Sequence, residues 1–181
     1  MEHYRPKRRV PVTLWSPDLR GVEGHVFLDL DPAGHQHQTV LARLNEASRF
    51  LPVASGPQGR IELHNKARLV RVTADASALQ SDVFTRGFAP WREEEAEVWL
   101  CDSTAVSGRV WMPLERPTQR ISDFMNQNGW EFFVLLVGQE VQLVNAAAVV
   151  RMGLTECAGA PLASRDSRIV TEPSWPVATH H

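Results

Sequence analysis

Three groups of side chains in this 181-residue chain have types and spacings suited to chemistry. The first is a basic arm: Arg5, Lys7, Arg8 and Arg9 stand against a single acid, Glu2, ahead of the first apolar run. Guanidinium groups offer planar, bidentate donors to phosphate or carboxylate, which makes Arg5, Arg8 and Arg9 candidate anion ligands. The competing reading of residues 1–9 is a solvated leader that holds nothing. The second group lies between Asp29 and His37, where Asp29, Asp31, His35 and His37, with His25 upstream, supply the carboxylates and imidazoles that a divalent metal accepts. Nothing equivalent stands near Pro113 or Pro117, and we read this stretch as a polar loop without a metal. The third is Cys101, which would need an electropositive, accessible setting to act as a nucleophile. It has no evident His partner and sits in an apolar run, so it reads as a core residue.

No Gly-x-Ser-x-Gly, phosphate loop, dinucleotide fingerprint or zinc-type Cys/His spacing is present in the sequence. The expectation is therefore a protein that is not an enzyme and carries no cofactor. The positions expected to bind a ligand are Arg5, Arg8, Arg9, Asp29, Asp31 and Gly34.

The elements that must position these residues come in two copies. Val10, Val12 and Leu14 alternate with Pro11, Thr13 and Trp15, which predicts a strand over 10–15. Pro11 lacks a backbone donor and places that strand at or near a sheet edge. A second strand is predicted over 22–30, with Gly24 marking a bulge or a close backbone approach. Residues 96–101 and 107–114 repeat this pair, with Gly108 for Gly24 and Trp99 for Trp15. A short helix over 39–47 is answered by one over 121–127, where Ser122 and Asp123 can cap the start and Arg120 and Asp123 lie three residues apart. Leu44-Asn45 answers Met125-Asn126, and Phe50-Leu51 answers Phe132-Phe133. Leu63-His64-Asn65 answers Leu143-Val144-Asn145, and Leu69-Val70 answers Val149-Val150. The run FFVLLV is apolar throughout, which predicts a strand covered on both faces. Asn65 and Asn145, in mid-strand, predict sharp corners.

The resulting organisation is a basic arm over 1–9, a first β+α repeat over 10–73, a linker over 74–93, a second repeat over 94–153 and an irregular tail over 154–181. The predicted fold class is mainly β. We expect two tandem small antiparallel barrel-like repeats, each with one short helix, packed face to face as a pseudo-dimer with an isologous interface. That pairing would cover Trp99, Trp111, Trp130 and Phe132. The acidic run Glu93-Glu94-Glu95 reads as a solvated face, and one short strand is expected near Arg168–Thr171.

Composition narrows the function classes. The chain is 43% hydrophobic and 22% charged, ordinary for a globular protein able to build its own core. A net charge of −2 gives no electrostatic help toward a nucleic-acid polymer or an anionic membrane. Cys101 and Cys157 lie far apart, which fits a reducing, cytoplasmic setting. The sequence has neither an apolar run of membrane-spanning length nor a secretory signal.

Two family resemblances add to this. Arg120-x-Ser122-Asp123-x-x-Asn126, followed by an aromatic strand and Leu143-Val144-Asn145, resembles a repeat unit of small uncharacterised bacterial proteins, in which it occurs alone or twice. The resemblance covers about two thirds of the chain and implies a bacterial cytoplasmic setting but no activity. The first half departs from it, with Thr39, Leu41 and Ala42 where Arg120, Ser122 and Asp123 stand. Arg5-x-x-x-Arg9 before the first strand, with Asp29-Leu30-Asp31-Pro32-Ala33-Gly34 after the second, resembles PilZ domains. That resemblance implies binding of cyclic di-GMP, with Arg5 and Arg9 clamping phosphates. Here Asp31 occupies the position of the family's serine and would repel a phosphate, and the helix over 39–47 has no counterpart in that barrel.

The reading that the residues favour is a non-catalytic interaction or regulatory module whose partner is another protein. A cyclic-dinucleotide sensor is the alternative.

Overall fold

Period-two alternation puts Val10, Val12 and Leu14 on one side of the first strand, and all three are buried. The computed structural model describes residues 7–30, 38–75, 78–85, 91–113, 118, 120–127 and 129–154. The first half runs β1 (Lys7–Ser16), β2 (Leu19–Asp29), α1 (Val40–Leu44), β3 (Phe50–Ser55), β4 (Arg60–Asn65) and β5 (Arg71–Ala74). A short helix, α2 (Gln80–Val83), lies in the connection. The second half repeats the plan with β6 (Trp91–Leu100), β7 (Ala105–Pro113), α3 (Ile121–Met125), β8 (Phe132–Val137), β9 (Glu140–Asn145) and β10 (Val149–Leu154). The protein is mainly β, and every strand pairing is antiparallel. Among the described residues, no helix is long and apolar enough to cross a membrane.

Several boundaries move. β1 begins at Lys7, so Lys7, Arg8 and Arg9 belong to the sheet and not to a free arm. β6 begins at Trp91, so the acidic run is strand, with Glu93 opposite Trp111 and Glu95 opposite Arg109. Helices α1 and α3, five residues each, are shorter than the pattern predicts. Thr39 caps α1 by accepting the Ala42 N–H at 3.1 Å. In α3 the N-cap is Arg120, and Asp123 in the first turn reaches back to it, its carboxylate accepting the Arg120 backbone N–H at 3.0 Å. Cys101 is not a core residue: β6 ends at Leu100, and Cys101 lies exposed in the turn that follows. Cys157 and the strand expected near Arg168–Thr171 lie outside the described residues.

The ten strands form one sheet in the order β10-β6-β7-β8-β9-β5-β1-β2-β3-β4. The predicted closed or half-closed barrels are therefore corrected to an open sheet. Each half does keep one strand order, β5-β1-β2-β3-β4 and β10-β6-β7-β8-β9, with the last strand returning beside the first. The sheet stays open because the second side of β5 is taken by β9, not by β4. The isologous facing of the halves is corrected for the same reason. An isologous pair would join β4 to β10 as well, whereas here both are edges. The halves are joined head to tail, with Arg71 opposite Val144, Val72 opposite Leu143 and Thr73 opposite Gln142.

Two cores follow from this arrangement, and β8 serves both. Phe132, Val134 and Leu136 face a core built with Val10, Leu28 and Leu51 of the first half, whereas Phe133 and Leu135 face a core with Val98, Met112 and Phe124 of the second. The predicted double cover of FFVLLV holds for that reason. Trp111 and Phe132 are buried between the halves, as expected of surface covered by pairing. Trp130 stays largely open, tilted against Phe124 at 6.2 Å between ring centroids.

Gly24 and Gly108 mark close approaches of backbone. A Cβ on Gly24 would lie 2.5 Å from Val53 Cγ1, and one on Gly108 would lie 2.5 Å from the Leu136 carbonyl oxygen. A carbonyl in a paired strand cannot swing aside as a side chain can. Gly108→Ala is expected to lower stability by about 1–3 kcal/mol in urea denaturation, through overpacking. A variant as stable as the parent would show that β7 and β8 do not approach so closely.

Candidate functional site

Strand alternation separates the arginines expected to bind together. Lys7 and Arg9 share one face of β1, and Arg8 is on the other. Arg8 reaches the buried carboxylate of Asp82 in α2 at 2.7 Å. A buried carboxylate needs such a partner, so Arg8 serves the packing of α2. Arg9 lies over the Phe27 ring, 5.4 Å from its centroid. Lys7 sits 3.4 Å from Asp29, its register partner on β2. Arg8 and Arg9 thus diverge and do not converge on one anion. Arg5, Asp31, Gly34, His35 and His37 lie outside the described residues, and His25 is exposed on β2. Among the described residues, no group of three or more His, Cys, Asp or Glu side chains could hold a metal.

The residues with most structural consequence are the repeated asparagines. Asn65 and Asn145 both turn the chain by capping a 3-10 turn: Asn65 accepts the Ala67 N–H at 3.1 Å, and Asn145 accepts the Ala147 N–H at 2.9 Å. Asn145 also reaches across to the first half. Its side-chain amide donates to the carbonyls of Lys66 at 3.2 Å and Leu69 at 2.8 Å, and its backbone N–H donates to Val70 at 3.0 Å. Asn45, at the end of α1, accepts the Phe132 N–H at 2.9 Å and donates to the Phe132 carbonyl at 3.0 Å. One side chain thereby satisfies both backbone groups of the residue that opens β8. Its repeat partner Asn126 donates to Ser122 at 2.7 Å and is exposed.

Sequence reasoning missed Lys66. Its ammonium group is buried and donates to the carbonyls of Leu44, at 2.8 Å, and of Glu46, with Glu131 at 3.6 Å. The available signal was the asymmetry of the repeat, because Ala146 stands where Lys66 does. Beside it lies a cleft of about 420 Å³, lined by Arg49, Trp130 and Glu131 among others.

The edges left unpaired among the described residues, β4 and β10, form the second feature. Positions buried at the junction are open where their repeat partners fall on an edge strand or, for Phe50 on β3, beside one: Val70 is 1% exposed and Val150 71%, Leu143 1% and Leu63 67%, Phe132 0% and Phe50 45%. Ile61 on β4 and Leu154 on β10 are exposed as well. An edge strand carries a row of backbone donors and acceptors available to another chain, and proteins usually guard such rows with charge or proline. β4 and β10 carry such charges, Arg60 and Glu62 on the one and Arg151 on the other, but set large exposed apolar side chains among them.

The chain matches no protein-family model, no curated protein and no solved structure.

The contrast between the two asparagines is measurable. In dilute protein, Asn45→Ala leaves the Phe132 backbone groups without their partner and is expected to cost about 1–3 kcal/mol. Asn126→Ala, on open surface, is expected to stay within about 0.5 kcal/mol of the parent. Equal losses in chemical denaturation would show that Asn45 contributes only as a helix end.

Proposed function

We propose that this chain is a non-catalytic binding module that engages protein along the edges of its sheet. The observation that carries this reading is the pairing of edge backbone with exposed apolar side chains, Ile61 and Leu63 on β4, Val150 and Leu154 on β10. Strand addition draws affinity from main-chain hydrogen bonds and specificity from side chains that alternate along the added strand. Both requirements are met at each edge. The anion-ligand residues within the described structure support a ligand site less well, because Arg8 is held by Asp82 and Arg9 by Phe27.

Leu63→Lys and Val150→Lys place a charge on open surface and are expected to leave melting unchanged within about 0.5 kcal/mol. In affinity capture, proteins retained by the parent chain are expected to be lost from one or both edge variants and kept by Arg9→Ala. Capture insensitive to the edges and abolished by Arg9→Ala would move the site to the start of β1.

A further inference from the structure

We infer that the chain assembles head to tail, with β10 of one copy adding to β4 of the next in the register that β5 and β9 use within a chain. The inference rests on the edge-binding reading and identifies the partner as a second copy of this chain.

The internal junction has two sides, and each side is repeated. The first half contributes β5 and Asn45, whereas the second contributes β9, Asn145 and Phe132. The second half also owns the equivalents of β5 and Asn45, namely β10 and Asn126. The first half owns the equivalents of β9, Asn145 and Phe132, namely β4, Asn65 and Phe50. Every member of this second set is present, and none meets its counterpart within the chain, because β4 and β10 end opposite sides of the sheet.

Moving the internal register onto the free edges gives a specific pairing. Arg71 opposite Val144 becomes Arg151 opposite His64, and Val72 opposite Leu143 becomes Met152 opposite Leu63. Thr73 opposite Gln142 becomes Gly153 opposite Glu62. The fasteners are already posed. Asn65 has its oxygen engaged with Ala67, as Asn145 has with Ala147, which leaves its amide for the Ala146 and Val149 carbonyls of the arriving copy. Asn126 donates back into its own helix, as Asn45 does to Leu41 at 3.1 Å, and would meet the backbone of Phe50.

Charge favours the same partner. Arg71 lies over Trp15 at 4.7 Å and places Nη1 3.5 Å from Gln142 Oε1. Arg151 lies over Trp99 at 3.8 Å, and the residue in the place of Gln142 is Glu62. A weak contact between a cation and a neutral amide becomes an ion pair. Docking would also cover Phe50, Leu63 and Val150, whose repeat partners are all buried at the internal junction. Each copy that docks leaves one β4 and one β10 free, so the contact is heterologous and builds a ring or a filament.

Sedimentation velocity on the full chain tests this with four samples: the parent, Leu63→Lys, Val150→Lys, and the two variants mixed. Circular dichroism melts confirm that each variant is folded. The parent is expected to exceed the mass of one chain as concentration rises. Each variant alone is expected to stay at one chain, since each lacks one side of the contact. Their mixture retains one live β10 and one live β4 and is expected to give two chains and no more. Asn126→Ala is expected to weaken the parent's association roughly tenfold. A mixture that stays at one chain overturns head-to-tail pairing. A parent that stays at one chain overturns self-assembly; if the edge variants then still lose captured proteins, edge binding survives with another partner. Oligomers unaffected by either substitution, with capture unaffected too, overturn both readings.

Discussion

The structure depends on one ladder, in which β5 lies between β1 and β9. A strand has two hydrogen-bonding sides, and a five-stranded unit of this topology could spend the outer side of its last strand on closing itself. Here the first half gives that side to the second half. The ladder is only three register pairs long, so side chains reinforce it. Asn145 ties two carbonyls before β5, Asn45 ties both backbone groups of Phe132, and Lys66 gathers carbonyls at the end of α1. Buried backbone groups without partners are costly, so these contacts fix how the second half sits on the first.

Packing follows from the ladder. Once β9 lies beside β5, the outer face of β8 is brought against the first half, and its alternate side chains complete that half's core. The two halves therefore differ in burial although they share a plan. The first half borrows Trp111, Phe132, Val134, Leu136 and Leu143 to fill its interior, whereas the second takes little beyond Val70 in return. A fully buried Phe or Leu contributes about 1.5–3 kcal/mol relative to exposure, so the borrowed residues are a substantial share of the first core. The same asymmetry leaves repeat counterparts of junction residues, Leu63 and Val150 among them, exposed at the two ends of the sheet.

Much of the local plan was legible from residues. Alternation marked the strands, Gly24 and Gly108 marked the close approaches, and Asn65 and Asn145 marked the corners, because each effect acts over a few neighbouring residues. The beginning of β1 was not legible: Lys7, Arg8 and Arg9 read as a solvated arm until Asp29, Asp82 and Phe27 supplied partners. Cys101 read as core because the apolar run before it gives no sign that the strand stops at Leu100. Lys66 was invisible as a buried group, since nothing adjacent to it in sequence forecasts the carbonyls it meets.

The sequence by itself determined the repeat, the mainly β class, the positions of turns and the double cover of β8, since periodicity and turn chemistry are local. Only the tertiary structure decided which strand edge meets which. Ladder hydrogen bonds are made by backbone groups that every residue carries, so partner choice leaves little trace in composition. Asn45 illustrates the limit: its type announces a helix end, but its bonds to Phe132 span 87 residues and exist only because β5 chose β9.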